Sequence, residues 1–315
     1  MQRSTLAIVA IVIIILAVGG IYAGLGLPNG STTGTTSPSG SVVHVVAAEN
    51  FWGSLASQVG GTHANVVSIV SDPNADPHEY ASSSADAQLF ADANLVIVNG
   101  AGYDAWALSL VAASNAQNQE VLNVQELLKQ SAAANPHFWY SPVYVNETVN
   151  AMYEAFVSID PADAVYFHQQ YANLNASLWQ SYMSREVEIK QQFAGAPVAA
   201  TEDIFVYMAN ASGLRVVSPT GFMQAVAEGN DPSAQDVATF QQLLEGGNTS
   251  VRVLAYNQQT VTPLAQSIKE EAAQYEIPII GVTETIQPPD VTFQFWMGSE
   301  LISLQNALNA QALGK

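Results

Sequence analysis

With 315 residues, 49% of them hydrophobic, and no cysteine, the chain can bury more than one core but has no disulfide framework, thiolate metal site or lipid-modified N-terminal cysteine. Its 27 acidic residues against eight basic ones, a formal charge of −19, exclude nucleic acid and anionic lipid as natural partners and favour cations. The same imbalance suits a protein facing acidic medium, where carboxylates become neutral and only basic groups still repel one another.

The run Leu6 to Leu27 carries no charge and, as a helix, would be about 33 Å long, enough to span a bilayer core. Its only charged flank is Arg3, and no Lys or Arg recurs before Lys129. This bias predicts an uncleaved N-terminal transmembrane helix with the N-terminus cytoplasmic and the rest extracellular, on the outer face of the cell membrane. A cleaved signal peptide is the competing reading. Residues 28–42 then read as a flexible stalk, because Pro28 to Ser41 consists of Pro, Gly, Ser, Thr and Asn. Acceptor triplets for glycosylation begin at Asn29, Asn146, Asn175, Asn210 and Asn248, as an exported chain allows.

Beyond the stalk, β-branched runs predict strands at Val42 to Val46, Val66 to Val70, Leu95 to Val98, Pro197 to Ala200, Val251 to Tyr256 and Ile277 to Val282. Helical segments separate them. Phe51, Leu55 and Val59 share one helical face that ends at Gly60-Gly61, and Ser83 with Asp86 reads as a capping box. The alternation predicts an α/β fold with parallel βαβ sheets, whose ligands sit at the carboxyl ends of strands. Asp160-Pro161 opens a long helical stretch to about Phe193, with Phe167, Tyr171, Leu174, Leu178 and Tyr182 on one face. The predicted division is an N-terminal lobe at 43–160, a linking helix at 161–194 and a C-terminal lobe at 195–315.

Only five histidines occur. His44 falls in a strand, His63 in a polar turn and His168 on the polar side of the long helix, so each reads as structural. His78 and His137 differ, because each follows a proline, in Asp76-Pro77-His78 and Asn135-Pro136-His137. Proline fixes the local backbone and helps aim an imidazole from a loop, as metal ligation requires. The residues alone leave open whether these are ligands or two unrelated loop histidines.

The stretches AENFWGSLASQVGG, SDPNADPHEY, ADANLVIVNGAGYDAW, NPHFWYSP, AATEDIFVYMA, GFMQAVAEGNDPSAQD and PIIGVTET resemble the zinc/manganese-type solute-binding proteins of metal ABC importers, over residues 43 to 312. The resemblance implies two α/β lobes with mainly parallel four-stranded sheets, joined by one long rigid helix, with four metal ligands in the cleft. Carried over by position, these are His78, His137, Glu202 and Glu284, with Asp290 as an alternative to Glu284. It also implies an extracytoplasmic, monomeric carrier rather than an enzyme, loading Zn²⁺ or Mn²⁺ and serving a cognate ABC permease and ATPase. Two imidazoles and two carboxylates would balance a divalent ion; this harder donor set admits Mn²⁺ or Fe²⁺, whereas the affinity order favours Zn²⁺. The histidine-rich acidic loop of many zinc-type relatives is missing. The rival classes are a metallohydrolase, for which no separate general base is in view, and an adhesin-like surface protein, which predicts no tightly bound metal.

Overall fold

The structure is a computed structural model that describes residues 42–72, 80–114, 116–247, 250–260 and 262–313. The predicted membrane segment, Asn29, Asn248 and His78 lie outside these residues. Among the described residues no helix is long and apolar enough to cross a membrane.

The first half runs β1 (Val43–Glu49), α1 (Asn50–Gly60), β2 (Ala64–Val70), α2 (Ser84–Asp92), β3 (Leu95–Val98), α3 (Ala105–Ser114), β4 (Glu120–Asn123), α4 (Val124–Leu127) and α5 (Pro142–Ile159). The linking stretch comprises a 3₁₀ turn Pro161–Asp163, α6 (Ala164–Leu178), a π-helical turn Trp179–Met183 and α7 (Ser184–Phe193). The second half runs β5 (Pro197–Ala200), α8 (Val206–Ala211), β6 (Arg215–Val216), α9 (Thr220–Ala227), α10 (Ala234–Glu245), β7 (Leu254–Asn257), α11 (Pro263–Gln274), β8 (Ile279–Val282) and α12 (Phe293–Leu313).

The strands build two four-stranded parallel sheets, ordered β2-β1-β3-β4 and β6-β5-β7-β8. Both have the same winding, although no sequence repeat betrays it. Alternation explains how each sheet is covered on two faces. Val45, Ala47, Leu95 and Ile97 point into a central core, whereas Val46, Ala48, Val96 and Val98 point into an outer core with Phe90 of α2 and Ala107 of α3. In the second sheet Val198, Ala200 and Ala255 join that central core, and Ala199 and Leu254 pack outward on Phe222, Phe240 and Ile268. Burying a Val, Leu, Ile or Phe side chain contributes roughly 1.5–3 kcal/mol, so the shared central core is a large part of what holds the two sheets in one body.

The capping box is present: the Ser83 side chain accepts from the Asp86 backbone while the Asp86 carboxylate accepts from the Ser83 backbone. The long helix is also present, from Pro161 to Phe193, and buries Phe167, Leu174, Leu178 and Tyr182. It is not a uniform α-rod, because the π turn interrupts it where α12 crosses. A Cβ at Gly298 of α12 would collide with the Ser181 carbonyl oxygen, so glycine is what lets the two backbones approach. Of the predicted strands, Val251 to Tyr256 begins later, at Leu254, and Ile277 to Val282 begins at Ile279, after Pro278. The first strand is longer than predicted, running through Ala47-Ala48 to Glu49.

Candidate metal centre

In a parallel sheet, ligand-facing residues sit beyond the carboxyl ends of strands, near the point where strand order reverses. Here Asn99 follows β3, Glu202 follows β5, Asn257 ends β7 and Glu284 follows β8. His137 comes from the loop before α5 and immediately precedes the 3₁₀ turn Phe138–Tyr140. Its imidazole is fully buried, packed edge-on against Tyr103 and Trp139.

The Asn135-Pro136-His137 motif orients this ring. The Asn135 Oδ1 accepts from the His137 backbone N–H at 3.0 Å and from Nδ1 at 2.7 Å. The Asp203 carboxylate lies 3.3 Å from the same nitrogen, and Asn135 Nδ2 donates to the Asp203 carbonyl at 2.7 Å. Because Asn135 Oδ1 can only accept, Nδ1 carries a hydrogen, and Nε2 is directed at Glu284 Oε1, 3.3 Å away. An imidazole held through one nitrogen with the other turned inward has the geometry of a metal ligand.

Glu202 and Glu284 are both buried, at 2% exposure each. Glu202 precedes the turn Asp203–Phe205, yet its carboxylate does not cap that turn. It turns instead to Asn257, whose Nδ2 donates to Glu202 Oε2 at 2.9 Å and to Glu284 Oε1 at 2.8 Å. Tyr103, in the loop after β3, donates to Glu284 Oε2 at 2.9 Å. That loop turns on Gly100, whose φ of 78° disfavours any side chain, and Asp104 ties it by accepting from the Asn99 and Gly100 backbones. Asp290 is exposed, whereas Glu284 is the buried acid beside His137. A cavity of about 510 Å³ borders His137 and Asp203, with Tyr103, Asn135, Gln224 and Glu228 on its wall.

The structure thus brings together His137, Glu202 and Glu284. Among the described residues alone, no group of three or more His, Asp or Glu side chains is placed to hold a metal ion. The other described histidines lie elsewhere: His44 is exposed on β1, His63 pairs with Asp163 at the start of the long helix, and His168 stands against Tyr153. Sequence reasoning missed Asn257, Tyr103 and Asp203. Asn257 could have been found from its place at a strand's carboxyl end, and Asp203 from its place beside Glu202.

Burial raises the Glu202 carboxyl to about 8, with the Glu284 charge adding to it. Burial would depress the His137 imidazole, but Glu284 and Asp203 outweigh it and raise the group to about 10. Beneath the site, burial also lifts Glu300 to about 8 and Glu186 to about 9. A carboxyl with a raised folded-state pKa keeps its proton in the folded chain while the unfolded chain loses it near 4.3, so its contribution to stability falls as pH rises through the folded value. The raised imidazole acts in the same direction: its contribution is complete below about 6.5 and is lost as pH rises through the folded value. The metal-free protein is therefore expected to be more stable at pH 5 than at pH 8, by at least about 2 kcal/mol. Thermal melts in chelator check this, and a midpoint that drops on acidification over that range would contradict it.

A sequence model of the family described as "Zinc-uptake complex component A periplasmic" matches residues 45–307. The manganese-binding lipoprotein MntA of Halalkalibacterium halodurans is 28% identical over 65% of this chain and 68% of its own length. The zinc-binding protein TroA of Treponema pallidum is 25% identical over 52% of this chain and 54% of its own. The chain thus spans only about half of TroA's length in that sequence match. In fold, the solved structure of T. pallidum TroA superposes with a TM-score of 0.68 at 17% identity, over 85% of this chain and 99% of that one. The Mn-bound periplasmic metal-binding protein of Candidatus Liberibacter asiaticus gives 0.69 at 15% identity, over 84% and 99%. With a family match across most of the chain and the same fold in solved relatives, the chain belongs to the zinc-uptake complex component A family of metal-binding solute-binding proteins.

Proposed function

We propose that this protein captures a divalent transition metal, Zn²⁺ or Mn²⁺, through His78, His137, Glu202 and Glu284, and hands it to an ABC permease. The observation that carries the reading is the inward-turned His137 Nε2, 3.3 Å from Glu284, beside a second buried carboxylate that shares the same Asn257 amide. Burying two carboxylates side by side is costly unless a cation joins them, and a cation held by two imidazoles and two carboxylates is electrically balanced. In this reading each sheet with its helices forms a lobe, 43–160 and 195–315, joined by the helix at 161–194, and His78 completes the set. The apolar run Leu6 to Leu27 anchors the chain, the segment 28–42 is its stalk, and the binding part faces the outside. In this reading the protein is a monomeric carrier and not an enzyme, since the four side chains would fill the coordination positions that a hydrolytic water would need.

Equilibrium titration of protein stripped of metal is expected to show one Zn²⁺ or Mn²⁺ per chain. Absence of saturable binding of either ion would overturn the proposal. Ester or phosphoester turnover that His78→Ala abolishes would favour the hydrolase instead.

A further inference from the structure

We propose that Glu300, on α12, is a positioning residue for metal capture: as a neutral acid it bridges the turn after His137 to the strand end before Glu284 and fixes the spacing of those two groups. This rests on the reading of His137 and Glu284 as ligands. Tyr140 closes the 3₁₀ turn that follows His137, and its backbone N–H donates to the His137 carbonyl at 3.0 Å. Thr283 stands between β8 and Glu284. Both meet Glu300, which is buried at 8% exposure: its Oε2 lies 2.8 Å from the Tyr140 hydroxyl, and its Oε1 accepts from the Thr283 backbone N–H at 3.2 Å. The Tyr140 hydroxyl also lies 2.9 Å from the Thr283 carbonyl oxygen, and Trp296, one turn earlier on α12, donates to Thr283 Oγ1 at 2.9 Å.

The hydrogens available in this cluster assign the state of Glu300. A tyrosine hydroxyl has one hydrogen and a carbonyl oxygen can only accept, so the Tyr140 hydrogen goes to Thr283. The short contact between Tyr140 and Glu300 Oε2 then takes its hydrogen from the carboxyl, as a neutral acid supplies. Burial, which lifts this carboxyl to about 8, favours the same state. The acid thus donates to one segment and accepts from another 143 residues away in sequence. Removing it leaves buried polar groups unsatisfied and frees the turn and the strand end to shift. Metal–ligand distances hold to within about 0.2 Å, so such a shift is felt as affinity although Glu300 is not itself a ligand.

The test titrates the wild-type protein, Glu300→Gln, Glu300→Ala and Tyr140→Phe with Zn²⁺ and with Mn²⁺. Glutamine keeps a donor and an acceptor in the same shape, as the neutral acid does, and Glu300→Gln is expected to bind within about threefold of wild type. Glu300→Ala and Tyr140→Phe, the latter removing one oxygen, are each expected to weaken binding by about 10–100-fold, the loss typical of an outer partner of a metal ligand. Leu304→Ala, one turn further along α12 and buried in the core, controls for loss of helix packing and is expected to leave affinity within about twofold. Tyr140→Phe that binds as tightly as wild type overturns the inference, even where Glu300→Ala does not fold. So does Glu300→Gln or Leu304→Ala that loses as much affinity as Tyr140→Phe. Wild-type protein that saturates with neither ion overturns the functional reading and the inference together, whereas every other contrary result leaves that reading intact.

Discussion

His137→Ala is expected to lower the affinity for Zn²⁺ by more than about a hundredfold, since losing an outer partner of a metal-binding histidine alone costs roughly 10–100-fold. The variant removes the imidazole whose orientation is fixed by Asn135 and Asp203 and whose Nε2 faces Glu284. It also leaves two buried carboxylates without their positive neighbour. His44→Ala, at an exposed position on β1, serves as the control and is expected to change affinity by no more than about twofold, because isolated surface substitutions have small effects. Titration calorimetry on both variants reads the contrast. Equal affinities would mean that the His137 ring is a packing element and that the ion binds elsewhere.

The second large effect is on pH. In the metal-free protein His137, raised to about 10, and Glu202, raised to about 8, both hold protons at neutral pH. A metal ion needs the neutral imidazole and the ionised carboxylate, so binding must expel both protons. Release of about two protons makes affinity fall about a hundredfold for each unit of acidification near neutrality. Calorimetry in buffers of different ionisation enthalpy counts the protons directly. A count of zero would contradict ligation by His137 and Glu202. The same groups that stabilise the metal-free chain in acid thus oppose loading there, because in both cases the proton and the metal compete for one set of atoms.

How much of this could be read in the sequence depends on what each element needs. Strands such as Leu95–Val98 are fully buried, and an uninterrupted apolar run marks them plainly. β4 (Glu120–Asn123) has polar ends at the sheet edge, and β6 has two residues, so neither produces a periodic signal. The long helix was legible from its apolar face, but its π turn was not, because that turn answers to Gly298 on a helix more than a hundred residues away. The site divides in the same way. His137 stood out through its proline, and Glu202 and Glu284 through the family-like stretches that contain them. Asn257 lies outside those stretches and Tyr103 inside one, but each is defined by a hydrogen bond to a carboxylate that only folding brings near.

X-ray absorption at the zinc edge of protein loaded with one equivalent of Zn²⁺ tests the central claim most directly. Two imidazoles and two carboxylates are expected around the ion, with metal–ligand distances near 2.0–2.1 Å. A spectrum without imidazole scattering, or with an ion coordinated mainly by water, would contradict the convergence of His78, His137, Glu202 and Glu284 on one cation.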